Sequence, residues 1–153
     1  MTLVLTYATP GVIIQVSDRR LTDLRTGKTI EDNSNKTVLF CNSTVFAYTG
    51  LAELGGGKRT DDWMLGVLAD GQCVALGQAV VQLRDHATRR FRQLQLTRPE
   101  WKRHAFVFAS WLPDGRRVVG LVTNSFEGIN RWRSAPHDDF RVHGWELESN
   151  ERG

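Results

Sequence analysis

The apolar positions of the first 48 residues fall in short β-branched runs broken by turn residues, the pattern of strands rather than helices. Val4 to Ala8 and Val12 to Val16 flank Thr9-Pro10-Gly11, which predicts a hairpin centred near Pro10 with Thr2 opposite Asp18. Thr37 to Cys41 and Thr44 to Tyr48, joined by Asn42-Ser43, predict a second hairpin that sets Lys36 opposite Thr49. Both hairpins open toward the ends that carry Thr2, Asp18, Lys36 and Gly50. Between them, Leu21 to Asn35 is polar and reads as a surface loop with a short irregular strand near Thr29-Ile30.

Beyond Gly50 the period lengthens. Gly55-Gly56-Gly57 is a flexible break, and Thr60-Asp61-Asp62 supplies an N-cap and acidic first turn for a short helix from Trp63 to Ala69. A longer helix is predicted from about Val74 to Leu96, with Leu76, Val80, Leu83, Ala87, Phe91 and Leu94 on one stripe wide enough to cover a sheet, and Arg98-Pro99 closing it. Ala105 to Trp111 and Arg117 to Thr123 flank Leu112-Pro113-Asp114-Gly115, a strong hairpin signal. Gly128 to Asp139 is polar, Phe140 to Leu147 reads as a last strand, and Glu148 to Gly153 as a frayed end. Hairpins, then two helices, then hairpins, without βαβ alternation, predict a single α+β domain of layered sheets over residues 1–153.

Composition adds little to this. With 153 residues, 41% apolar and 24% charged, the chain has the makings of one compact core. The start lacks the basic flank and long apolar region of a secretory signal, and no window is apolar enough to span a bilayer, so a cytoplasmic protein without membrane contact is expected. The net charge of +3 raises nucleic-acid binding. However, the arginines of the densest basic stretch, Arg84 to Arg92, interleave with the apolar stripe of the long helix and read as its solvated face. Cys41 and Cys73 have no CxxC spacing and read as structural. His86, His104, His137 and His143 are dispersed without zinc-ligand spacing and read as surface or half-buried residues, and the five tryptophans as core or interface packing. Neither a metal nor another cofactor is expected.

One set of residues carries more. Thr2, Ser17-Asp18-Arg19-Arg20, Asn35-Lys36-Thr37 and Tyr48-Thr49-Gly50-Leu51-Ala52 stand in an order and spacing that resemble proteasome β-type subunits, members of the N-terminal nucleophile (Ntn) hydrolases. The resemblance spans about residues 2–124 and includes the bacterial proteasome type; the part past Asn124 is short and diverges from the family. It implies an Ntn-type pair of layered sheets with two central helices and a threonine-type peptidase or amidohydrolase acting on peptides or small amides. In that scheme Thr2, freed by removal of Met1, supplies its hydroxyl as nucleophile and its α-amine, with an unperturbed pKa near ~8, as general base. Lys36 and Asp18 would be its electrostatic support and the Gly50 N–H its oxyanion donor. Arg20, Leu21 and Ala52 would line the substrate pocket. Ser125, Ser134, Asp138 and Asp139 are candidates by residue type alone for the family's supporting serine and aspartate. The resemblance also implies a homo-oligomer, since family members stack into rings. The rival reading keeps the fold without the chemistry, as a catalytically silent protein that works by assembly or binding.

Overall fold

The computed structural model describes residues 3–9, 11–23, 25–54, 57–70, 75–126 and 135–147. Met1, Thr2, Cys73, Ser134 and the glycines at 55 and 56 lie outside these residues. Strands β1 (Val4–Ala8) and β2 (Ile13–Ser17) form one antiparallel hairpin, and β3 (Leu21–Thr22) and β4 (Thr29–Glu31) a short ribbon. A five-stranded antiparallel sheet runs in the order β5 (Thr37–Phe40), β6 (Thr44–Thr49), β7 (Ala105–Trp111), β8 (Arg117–Thr123), β9 (Arg141–Leu147). Helices α1 (Thr60–Asp70) and α2 (Leu76–Gln93) fall between β6 and β7, as the change of period predicts, and a short 3-10 turn spans Pro99–Lys102. This is an α+β architecture.

The helices cover one face of the sheet. Phe46, Tyr48, Phe106, Phe108 and Val122 point toward them and pack with Trp63, Met64, Val67 and Leu68 of α1 and Ala79, Val80, Leu83, Ala87 and Phe91 of α2. The predicted α2 stripe is therefore the core stripe, with Leu76 and the flanking Leu94 half-buried at its ends. On the opposite face the buried side chains are small: Ala47, Ala105 and Ala109 let the β1–β2 hairpin approach β6 and β7. Ser17 and Thr37 meet hydroxyl to hydroxyl at 3.4 Å across this layer.

Both predicted hairpin registers are shifted by one residue. The first turn is closed by the Thr9 N–H on Val12 O, pairing Val4 with Ser17, so that Leu3 rather than Thr2 faces Asp18. In the second hairpin a three-residue turn, with Cys41 and Asn42 at positive φ (49° and 54°), replaces the two-residue one. It pairs Thr37 with Ala47 and sets Lys36 against Tyr48, whose N–H donates to Lys36 O. Cys41 thus leaves the strand and is exposed. Residues 21 to 35 also depart from a plain surface loop. Arg19 and Asn33, Arg20 and Asp32, and Leu21 and Glu31 pair along the ribbon, and Ser34 is fully buried. The physical reason is that the two legs of the excursion satisfy each other's backbone groups, which a solvated loop would leave to water.

Candidate functional site

One end of the molecule collects the exits and entries of five strands. Asp18 follows β2, Lys36 precedes β5, Gly50 follows β6, His104 precedes β7 and Asn124 follows β8. The ribbon returns Lys36 beside Asp18. Its ammonium Nζ donates to Asp18 Oδ1 at 2.5 Å and to Arg20 O at 2.7 Å, with the Lys36 side chain fully buried and that of Asp18 35% exposed. The other Asp18 oxygen accepts from the Leu3 N–H at 3.3 Å, and the Asp18 N–H donates to Leu3 O at 3.0 Å. Partial burial alone would raise the Asp18 carboxyl. The Lys36 hydrogen bond and charge, with the Leu3 N–H, outweigh that and hold it below the ordinary 3.8.

Gly50 stands at φ +117°, a conformation that side-chain-bearing residues rarely adopt, and is exposed. A Cβ there would lie 2.5 Å from Arg103 O and 2.6 Å from His104 Nδ1, so both the backbone angle and the space demand glycine. The following peptide is held from below, where the Leu51 N–H donates to His104 Nδ1 at 3.1 Å. Contrary to a surface or half-buried placement, His104 is 1% exposed and stacks on Tyr48 while touching the rings of Phe91 and Phe106. The apolar strand that follows it carries it inward, where α2 and β6 close over the ring. Burial lowers its pKa from 6.5 to about 3, leaving the imidazole neutral.

The expected pocket residues divide. The Arg20 side chain is exposed and paired with Asp32, and with Asp18 and Arg19 these two line a cleft of about 500 Å³. Leu21 is half-buried in β3, and Ala52 is half-buried with its carbonyl accepting the Thr60 N–H at the start of α1; neither lines that cleft. Ser125 is buried and donates to Asn124 Oδ1, while Asp138 and Asp139 are tied to Lys102 and Arg92. Thr2 and Ser134 lie outside the described residues.

Behind the site runs a network that strand and helix patterns do not announce. Arg59 donates to Glu31, Asp61 and Ser34, and Ser34 in turn bonds the Tyr48 phenol. It ties the ribbon to the start of α1. Burial, together with the nearby Asp61 carboxylate, pushes the Tyr48 hydroxyl up to about 12. The sequence offers one clue to this network, a basic residue directly ahead of the acidic first turn of α1.

Among the described residues, no group of three His, Cys, Asp or Glu side chains gathers at metal-binding distance, and no helix is long and apolar enough to cross a membrane. No protein-family model matches the chain, and no curated protein shows significant similarity to it.

Proposed function

We propose that this protein is an Ntn hydrolase of proteasome β-like layering, a threonine-type peptidase or amidohydrolase in which Thr2 is nucleophile and general base once Met1 is removed. The observation that carries the reading is the buried Lys36 ammonium on Asp18, whose second oxygen holds the N–H of Leu3, the residue next to Thr2. Cation, carboxylate and the start of β1 are thereby linked, and the glycine at φ +117° stands two residues beyond Tyr48, the backbone partner of Lys36. In the proposed reaction the Thr2 α-amine takes the hydroxyl proton as Oγ attacks the amide carbonyl. The Lys36 charge favours both the free amine and the alkoxide character, and the Gly50 N–H receives the oxyanion. The amine proton passes to the leaving nitrogen as the C–N bond breaks. Water then hydrolyses the Thr2 ester, restoring hydroxyl and amine.

The proposed substrate is a peptide or small amide entering along the cleft at Asp18, Arg19, Arg20 and Asp32; the proposed setting is the cytoplasm. Intact mass and N-terminal sequencing, followed by exposure to an epoxyketone or β-lactone, test the reading. A chain beginning at Thr2 that gains one adduct there, lost in Thr2→Ala, is the expected result; retention of Met1 with no adduct sinks it.

A silent assembly protein is the second reading, favoured by the outer face of the β1–β2 hairpin. Leu3, Leu5, Tyr7, Ile14 and Val16 there are between 48% and 61% exposed. Exposed apolar surface of this kind marks interaction faces, and residues 3–17 include no charged side chain to oppose a homo-oligomer.

A further inference from the structure

We infer that His104 is a positioning residue for the turn that carries the oxyanion donor, anchoring the Gly50–Leu51 peptide plane so that the turn, whose preceding plane carries the Gly50 N–H, cannot swing about Gly50. The assignment rests on the hydrolase reading. A peptide unit is planar, so fixing one N–H fixes the orientation of the whole unit. The unit before Gly50 is set by the β6–β7 ladder, which pairs Thr49 with Ala105. The unit after it is set by the bond from the Leu51 N–H to His104 Nδ1. Gly50 is the hinge between two anchored planes, and its φ of +117° is the angle that joins them. The space where a Cβ would stand is closed by Arg103 O and His104 Nδ1, at 2.5 and 2.6 Å from that position, so the hinge must be glycine.

His104 itself is anchored on every side. Its main-chain N–H donates to Asn124 Oδ1 at 2.9 Å, and its carbonyl accepts from Thr123 Oγ1 at 2.8 Å and from the Asn124 N–H at 3.4 Å. The Asn124 amide in turn donates to Lys102 O. Phe91, Phe106, Phe140 and Tyr48 surround the ring. With Nδ1 accepting and the ring neutral, the proton sits on Nε2, which is buried and meets no hydrogen-bond partner among the described residues. An apolar cage gains nothing from an unmatched N–H, and phenylalanine would fill the same space without that cost. The polar atom in use is Nδ1, and its sole described partner is the peptide that follows Gly50.

The test separates ring from acceptor. His104→Phe keeps the ring and removes the acceptor; His104→Asn places an amide oxygen near Nδ1 and gives up the ring. Epoxyketone labelling of Thr2 is followed by mass spectrometry to obtain kinact and KI, beside thermal melting of each variant. Because an oxyanion donor acts on the transition state, His104→Phe is expected to melt like the wild type and bind with unchanged KI. Its kinact should fall on the order of tenfold. His104→Asn is expected to recover much of that rate although it melts lower. Wild-type kinact in His104→Phe, or rates that merely track melting in both variants, overturns the positioning role while leaving the hydrolase reading intact. A wild-type chain that takes no label overturns the hydrolase reading and this inference with it. Nitrogen chemical shifts of the imidazole give a readout that needs no reaction: Nδ1 should be unprotonated and Nε2 protonated from pH 8 to pH 5, and the reverse tautomer refutes the bond to Leu51.

Discussion

At Asp18 and Lys36 the two partners are unequally placed, the ammonium fully buried and the carboxylate still 35% exposed. Removing one is therefore not equivalent to removing the other. Asp18→Ala strands a buried charge and is expected to cost about 3 kcal/mol in urea unfolding, whereas Lys36→Met leaves a carboxylate that water can reach and should cost less than half of that. The pair also carries a pH dependence. Asp18 is depressed in the fold, so its contribution is present above the unfolded value of 3.8 and is lost as pH falls through the lower folded one. His104 works on a higher window. Its folded pKa of about 3 lies below the ordinary 6.5, so between those values only the unfolded chain takes up the proton. The His104 share of stability should accordingly drop by about 1.4 kcal/mol per pH unit below 6.5. His104→Phe should remove that share in unfolding measured from pH 7 to pH 4, leaving the part owed to His143, which burial also holds below its ordinary value. Gly50→Ala meets strain at φ +117° and a carbonyl at 2.5 Å, and an expected loss of about 2 kcal/mol would register in the same assay.

Among the elements, α2 and the β1–β2 hairpin sit at opposite extremes of burial. Helix α2 places Ala79, Val80, Leu83, Ala87 and Phe91 in the core, and Phe91→Ala is expected to cost about 3–5 kcal/mol because the ring is fully buried between His104 and Phe140. The hairpin has one face on the sheet and the other in solvent, although Leu5, Tyr7, Ile14 and Val16 stand on the solvent side. An isolated two-stranded ribbon is marginal by itself, and its inner face is what docks it here. Substituting Leu5 and Tyr7 by lysine should therefore leave melting nearly unchanged, and under the proposed assembly reading it should lower the sedimentation coefficient relative to the wild type. A collapse of the fold instead would mean that these side chains are covered within the monomer.

For the whole molecule, helices, five-stranded sheet and hairpin stack so that the loops of one end converge. The converging residues come from sequence positions as distant as 18 and 124, joined by the Asp18–Lys36 pair, the Tyr48–Lys36 backbone bond, the Leu51–His104 bond and the His104–Asn124 bonds. A site assembled this way is lost as a unit when the layers separate. Labelling of Thr2 and global unfolding by urea should consequently show the same midpoint, since no smaller folded piece retains the cation, the carboxylate and the glycine turn together.

The sequence by itself determined the order of the main hairpins and the two helices, the α2 stripe and the β7–β8 hairpin, though not strand β3, because these depend on periodicity and turn residues a few positions apart. It also brought Asp18, Lys36 and Gly50 to one end of the strands, and that survives a register error of one residue because the ends of a hairpin move little when its centre does. Register itself was decided by tertiary structure, through the positive-φ turn at Cys41 and Asn42 and the closure at Thr9 and Val12. So were the burial of Ser34 and His104 and the Arg59 network, since Ser34 meets Arg59 from 25 residues away and His104 meets Leu51 from 53 residues away along the chain. Local pattern reports which faces are apolar; only the packed layers report which polar atoms meet across them.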